Sequence, residues 1–226
     1  MDRVSFQETS QIRVNGFIQS VYNWMAAGLG LTAVFAYIFS EIIFLPPAVF
    51  FVAVIAEIGM VFYLSSRINK IEASTATALF MIYAALNGIT ISWLVSAYTP
   101  TSVFAAFFVC AATFTATSIF GMVTKKDLTG VGNFMVMGLI GIIIASLVNI
   151  FVQSSAIFWI INYVGVIVFV GLTAYDTQKI KEMALSQPAD LENSAIRKGA
   201  ILGALSLYLD FINLFIMMLR IMGDRD

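Results

Sequence analysis

The sequence predicts an all-α membrane protein, a bundle of seven transmembrane helices. Sixty per cent of the 226 residues are hydrophobic and 11% are charged, and the mean hydropathy is +0.93. Soluble domains are only about 45–50% apolar and about 25% charged. The length accommodates about seven spans of roughly 20 residues each, with short loops between them.

Seven apolar runs mark the spans in chain order. They cover 17–39, 46–66, 75–98, 101–123, 132–153, 156–176 and 199–222. Pro46-Pro47 and Thr99-Pro100 separate runs, because proline interrupts a helix and restricts the residue before it. The prediction is therefore a transmembrane domain over 17–222, between a polar tail at 1–16 and a short C-terminal tail at 223–226.

Positive charge predicts the orientation of the spans. Ten basic residues fall on one side: Arg3, Arg13, Arg67, Lys70, Lys125, Lys126, Lys179, Lys181, Arg197 and Lys198. The opposing loops contain none, which predicts that the first side and the N-terminus are cytoplasmic. Arg220 and Arg225 follow span 7 and break the pattern. Either the C-terminus is outside, or span 7 is re-entrant, and the sequence is compatible with both.

Composition also excludes several kinds of function. The chain has no histidine and one cysteine, Cys110, so histidine-based catalysis, thiolate metal sites and a disulfide framework are excluded. The net charge of −1 argues against a nucleic-acid partner. The segment 177–198 is the one long stretch predicted to be exposed to water, with a turn at Gln187–Asp190.

Two aspartates stand out, because a carboxylate within a membrane span is costly unless it is paired, neutralised or hydrated. Asp176 ends span 6 and Asp210 lies 11 residues into span 7. Consecutive antiparallel spans would bring the two carboxyls together, and two close carboxylates cannot both ionise cheaply. We therefore interpret the chain as built around this pair.

Further polar residues surround this pair in the predicted bundle. Asn213 and Ser206 lie three residues after and four before Asp210, on the same helical face, where they can share hydrogen bonds. Glu57 in span 2 is a third acid within a span, and Asn87 and Asn149 add neutral oxygens. Calcium favours such oxygen ligands, yet the same set suits Ca²⁺, H⁺ or a cationic substrate equally well.

A basic residue is expected at the depth of Asp176. Span 2 runs toward the same side as span 6, which places Arg67 level with Asp176 at the cytoplasmic boundary. Arg67 would either form an ion pair with Asp176 or extend to the lipid headgroups. Lys70 is a competing cation close by.

The last two spans resemble the Bax-inhibitor (transmembrane Bax inhibitor motif) family, particularly its bacterial members. The resemblance rests on AYDTQKI at 174–180 and ALSLYLDFINLF at 204–215. It implies a pH-sensitive calcium leak of seven helices with the last helix central. In that family two aspartates from spans 6 and 7 share protons, and an arginine on span 2 latches the closed state. Asp176 and Asp210 match the pair, and Arg67 corresponds to the latch.

Two other functional classes are weighed against a leak. An intramembrane aspartyl protease also uses two carboxyls, but SLYLDF surrounds Asp210 in place of a glycine-flanked aspartate, so we expect no enzyme. A non-conducting regulator would bind a membrane protease or a stress-pathway partner through the cytoplasmic loops. No cofactor is expected beyond Ca²⁺ as the permeant ion. The predicted location is the inner membrane of a bacterium, with the lipid bilayer, Ca²⁺ and H⁺ as partners.

Overall fold

The computed structural model describes residues 2–41, 46–188 and 190–224, which form seven helices and no strand. The helices are α1 (Asp2–Glu41), α2 (Pro47–Arg67), α3 (Ala73–Val95), α4 (Pro100–Val123), α5 (Thr129–Val152), α6 (Ser155–Leu185) and α7 (Asn193–Met222). All seven are long and apolar enough to cross a membrane. The all-α prediction of seven membrane helices is confirmed.

The predicted helix breaks at proline are also confirmed. Pro46 is extended and Pro47 lies in the first turn of α2, where a missing backbone N–H costs no hydrogen bond. Thr99 caps α4 by accepting a hydrogen bond from Ser102 N at 3.3 Å, and Pro100 follows it. The turn predicted at 187–190 falls between α6 and α7, and its Ala189 lies outside the described residues, as does Arg225.

Two boundaries differ from the predicted spans. Helix α1 begins at Asp2, so the described part of the polar tail is helical and continuous with span 1. Helix α6 continues nine residues past Asp176 to Leu185, which shortens the exposed connector to the segment before Asn193. Asp176 is therefore inside a helix, and the prediction that it ends one was wrong.

The described chain divides into two compact units. The first combines Met1–Ala97 with Ile180–Tyr208, and the second combines Tyr98–Lys179 with Leu209–Asp226. Helix α7 is the most buried helix, with 72% of its apolar stretch inside the protein, as expected for a helix that others enclose. Helix α5 is only 6% buried over its apolar stretch, and in a membrane its exposed aliphatic side chains would contact lipid.

Glycines allow the helices of the second unit to approach closely around Asp176. A Cβ added to Gly121 on α4 would overlap the carbonyl oxygen of Ala174 on α6. A Cβ added to Gly132 on α5 would overlap the ring of Tyr175. Small residues at such contacts let helix backbones come together where no larger side chain fits. The α6 segment that carries Asp176 is thus fixed against two helices by its immediate neighbours.

Candidate functional site

The second unit brings together the carboxyl groups of Asp176 and Asp210. Asp176 is half-buried on α6, and Asp210 on α7 is only 4% exposed. The two side chains are close enough for their charges to repel each other. The structure therefore juxtaposes the two acids that the sequence singled out.

Asp210 has an unusual environment for a buried carboxyl. Its Oδ2 atom is buried with no hydrogen-bond partner among the described residues. Asn213, a predicted partner, instead donates from its Nδ2 to the carbonyl of Leu209 at 2.8 Å. Ser206, the other predicted partner, belongs to the first unit. A buried acceptor without a donor is rare in folded proteins and points to a proton, a water molecule or a cation at that place.

The residue that follows Asp210 packs against α4. The ring of Phe211, the next residue, packs edge-to-face against Phe107 and Phe114 at centroid distances of 5.8 and 5.4 Å. The thiol of Cys110 donates to the carbonyl of Phe211 at 3.6 Å. Cys110 is thus a packing residue that fixes α7 next to the carboxyl.

Asp176 has a positive neighbour on its own helix. Lys179, three residues on, attracts the Asp176 carboxylate, and its Nζ lies 6.0 Å from the ring centroid of Tyr175. The sequence contains this pair at the (i, i+3) spacing of helical neighbours. The pair was not predicted from the sequence, because the apolar run ends at Asp176 and span 6 was predicted to end there as well.

Polar contacts hold the α6 segment around Asp176 in place. The hydroxyl of Thr177 donates to Ser118 of α4 at 3.3 Å. The buried side chain of Gln178 accepts from Leu128 N at 2.8 Å and donates to the carbonyl of Lys126 at 2.9 Å. Gln178 thereby satisfies two backbone groups of the loop between α4 and α5. This loop contact was not predicted from the sequence.

The first unit holds Glu57 in a separate polar network. Glu57 accepts from Thr90 Oγ1 at 2.9 Å and from Asn87 Nδ2 at 3.3 Å. The buried hydroxyl of Tyr208 donates to Asn87 Oδ1 at 3.1 Å and lies 2.6 Å from the hydroxyl of Thr32. Glu57 and Asn87, which the sequence singled out separately, are thus hydrogen-bonded to each other, and Thr90, Tyr208 and Thr32 extend the network.

The remaining predicted residues lie at helix ends. Arg67 is the exposed last residue of α2 in the first unit. Asn149 lies near the end of α5 in the second unit, where its Oδ1 accepts from Ser154 N at 2.9 Å. Within the described residues no three acidic or cysteine side chains lie together as metal ligands. A cation between Asp176 and Asp210 would need its other ligands from carbonyls or water.

These features describe a seven-helix membrane protein with two interacting acids on its last two helices. A family model described as inhibitor of apoptosis-promoting Bax1 matches residues 14–226. The chain is 47% identical over 215 residues to the inner membrane protein YbhL of Escherichia coli K12, with 92% of each chain covered. It is 42% identical to uncharacterized proteins of Borreliella burgdorferi, covering 97% of each chain, and of Deinococcus radiodurans, covering 97% of this chain and 95% of the other. The chain belongs to the Bax-inhibitor family.

Proposed function

We propose that this protein is a pH-sensitive Ca²⁺ leak channel, gated by protons shared between Asp176 and Asp210. The observation that carries the proposal is their juxtaposition within the second unit, with Asp210 Oδ2 buried and without a hydrogen-bond donor. Ionisable groups within membrane helices are rare and mark ion or proton pathways.

The pair responds to pH because its two carboxyls titrate together. When one proton is bound to the pair, only one carboxylate charge remains and the repulsion is removed. When both are ionised, they repel each other and attract a cation. The titration belongs to the pair and not to either residue alone. Proton binding by the pair therefore changes the negative charge that a Ca²⁺ ion encounters at this place.

Arg67 is the proposed latch of the closed state, with Lys70 as the competing cation. If Arg67 pairs with ionised Asp176, acidification weakens the contact by protonating the carboxylate, so the closed state is the one favoured at high pH. The latch would act in addition to Lys179, which already attracts Asp176. Such a contact at a water boundary contributes only about 1 kcal/mol, which shifts the open population several-fold.

Glu57 is the proposed third acid, along an ion path with Asp210. Its carboxylate is only half-buried and is held by Thr90 and Asn87, so its position in the first unit is fixed. Ser206 and Asn213 on α7 are proposed as hydrogen-bonding support near the pair.

The proposed location is the bacterial inner membrane, with the N-terminus in the cytoplasm. The name of the YbhL relative, an inner membrane protein, supports the choice of membrane.

The test is Ca²⁺ flux into liposomes that contain the purified full-length chain, measured against pH. We expect a flux that rises on acidification, with a pH midpoint that shifts in Asp210→Asn and in Asp176→Asn. Asp127→Asn is the matched control: Asp127 is exposed in the same unit, and hydrogen bonds from the Thr129 hydroxyl and amide hold the pKa of its carboxyl below its ordinary value. It should leave the midpoint unchanged.

Three results would contradict the proposal. Flux with the same pH midpoint in wild type and in both single variants would exclude the shared proton. Absence of flux through folded protein would favour the alternative, a membrane regulator that acts by binding a membrane protease or another partner. The proposal also predicts no peptide cleavage by the purified protein, and cleavage that depended on both aspartates would assign an enzyme instead.

A further inference from the structure

Two buried side-chain oxygens of the described residues have no hydrogen-bond partner, namely Oδ2 of Asp210 and Oδ1 of Asn162. Asn162 lies on α6 in the same unit as Asp210 and is 0% exposed. Its Nδ2 donates to the carbonyl of Phe158, one helical turn earlier, at 2.7 Å, which leaves Oδ1 as the atom without a partner. A buried acceptor without a donor indicates a water molecule or a cation at that place.

Packing alone does not account for an asparagine at this position. Asn213 on α7 makes the same bond to a carbonyl four residues earlier, at 2.8 Å, but Asn213 is only half-buried. The amide oxygen of Asn162 is enclosed by the protein instead. A leucine would fill a similar volume without the cost of a buried oxygen that lacks a donor.

Asn162 lies on the face of α6 that carries Asp176. With 3.6 residues per turn, Asp176 is about 40° from Asn162 around the helix axis and about 21 Å along it, and Thr173 is about 20° away. Thr173 is also 0% exposed, and its hydroxyl donates to the carbonyl of Phe169 at 2.7 Å, so its oxygen can still accept. Three oxygen acceptors therefore follow one face of the helix.

Helix α7 packs against this face between Asn162 and Asp176. Gly165 lies three residues after Asn162, and a Cβ added to it would overlap Sδ of Met217 on α7. Methionine has three rotatable bonds and adapts to irregular spaces. A change in the Met217 side chain can therefore open this stretch without moving the backbone of either helix.

A cavity of about 580 Å³ lies one helical turn from Asn162, at the start of α6. Phe158, whose carbonyl binds the Asn162 amide, lines this cavity, so water in the cavity comes close to the amide. Arg220 also lines it, with its guanidinium carbon 5.8 Å from the ring centroid of Phe158. A positive charge there would slow the entry of cations, which suits a slow leak more than a fast channel.

We infer that the ion path continues from the aspartate pair along this face of α6 to Asn162, whose amide oxygen is a ligand of the passing cation. The inference rests on the proposed calcium leak and adds a residue to its path. Calcium accepts amide carbonyl oxygens as ligands. A neutral ligand holds the ion more weakly than a carboxylate, and conduction requires such sites because the ion must also leave.

Thiol labelling tests whether position 162 faces the path. In a Cys110→Ala chain, Asn162→Cys is compared with Val168→Cys, because Val168 is a buried residue of the same helix that packs against Gly138 of α5. Both proteins are treated in liposomes with a small cationic methanethiosulfonate, at a pH at which the parent conducts Ca²⁺, and the modified fraction is measured by mass spectrometry. We expect Asn162→Cys to react at least tenfold faster than Val168→Cys.

Flux measurements test the amide oxygen itself. Asn162→Leu should lower Ca²⁺ flux at least fivefold and keep the pH midpoint, since the aspartate pair is intact. Asn162→Asp keeps an oxygen ligand and should retain flux. Thr117→Val is the matched control, because the Thr117 hydroxyl also donates to a carbonyl four residues earlier, at 2.8 Å on α4, and its flux should equal that of wild type.

Heat unfolding separates a role in the path from a role in packing. Asn162→Leu should melt no lower than wild type, because it removes a buried oxygen without a donor, so its loss of flux would not come from a loss of fold. Wild-type flux in Asn162→Leu, or equal reactivity of the two cysteines in conducting protein, would overturn this inference and leave the calcium leak standing. Absence of flux in wild type would overturn the leak, and the path with it.

Discussion

Substitution of Gly121 by alanine is the sharpest test of how the fold positions Asp176. Gly121 on α4 faces Ala174 and Thr177 on α6, the residues two before and one after Asp176. An added Cβ would overlap the carbonyl oxygen of Ala174 and lie 3.0 Å from Thr177 Cβ. The overlapped atom is backbone, so no rotamer change relieves the clash. The two helices must move apart instead.

The expected cost follows from this geometry. Overpacking a close contact by one methyl group typically costs about 1–3 kcal/mol. Gly141 on α5 is the matched control, because nothing lies within 4 Å of an added Cβ there. Alanine in place of glycine within a helix is otherwise favourable by about 0.5–1 kcal/mol. Because this gain applies to both variants, it cancels in their difference, and we expect Gly121→Ala to be less stable than Gly141→Ala by about 1–3 kcal/mol.

Reversible unfolding in mixed micelles with increasing denaturing detergent measures this difference. The same two variants should also differ in the liposome assay: Gly121→Ala should shift the pH midpoint of Ca²⁺ flux, because the segment that carries Asp176 moves away from α4. Gly141→Ala should keep the wild-type midpoint. Equal stability of the two variants would refute the close α4–α6 contact, and with it the account of how Asp176 is held.

Three further predictions concern other contacts. Tyr208→Phe should lower stability by about 1–3 kcal/mol in the same unfolding assay, because Asn87 Oδ1 loses its donor inside the protein. Gln178→Ala should cost about 1–3 kcal/mol and increase proteolysis of the loop between α4 and α5, whose backbone groups it satisfies; unchanged cleavage would contradict the role of this contact. Arg67→Ala should raise Ca²⁺ flux several-fold at high pH, and strict additivity with Asp176→Asn in a double-mutant cycle would mean that there is no latch.

The sequence was sufficient for the seven helices because hydrophobic runs of about 20 residues have few alternative structures. It misplaced the end of α6 for a physical reason. The apolar window closes where polar residues begin at Asp176, whereas the helix continues through KIKEMAL, which contains good helix formers and neither glycine nor proline. Hydropathy locates a change in side-chain polarity, and a helix ends only where its backbone pattern is broken.

The candidate site was predictable in part. Acids inside apolar runs identified Asp176, Asp210 and Glu57, because burial of a carboxyl is costly wherever it occurs. Their hydrogen-bond partners were harder to predict, since contacts such as that of Thr90 with Glu57 depend on how each helix is rotated about its own axis. Sequence spacing defines a helical face, but it does not say which neighbouring helix that face meets.

The proposed gating requires that Asp176 and Asp210 titrate as one unit. Infrared difference spectroscopy of the chain with isotope-labelled aspartate, recorded from mildly alkaline to mildly acidic pH, observes protonated carboxyl groups directly. We expect one buried carboxyl signal to appear on acidification. Asp176→Asn and Asp210→Asn should each remove or shift this signal, and Asp127→Asn should leave it in place. Two independent titrations, with each single variant leaving the other aspartate unchanged, would contradict it.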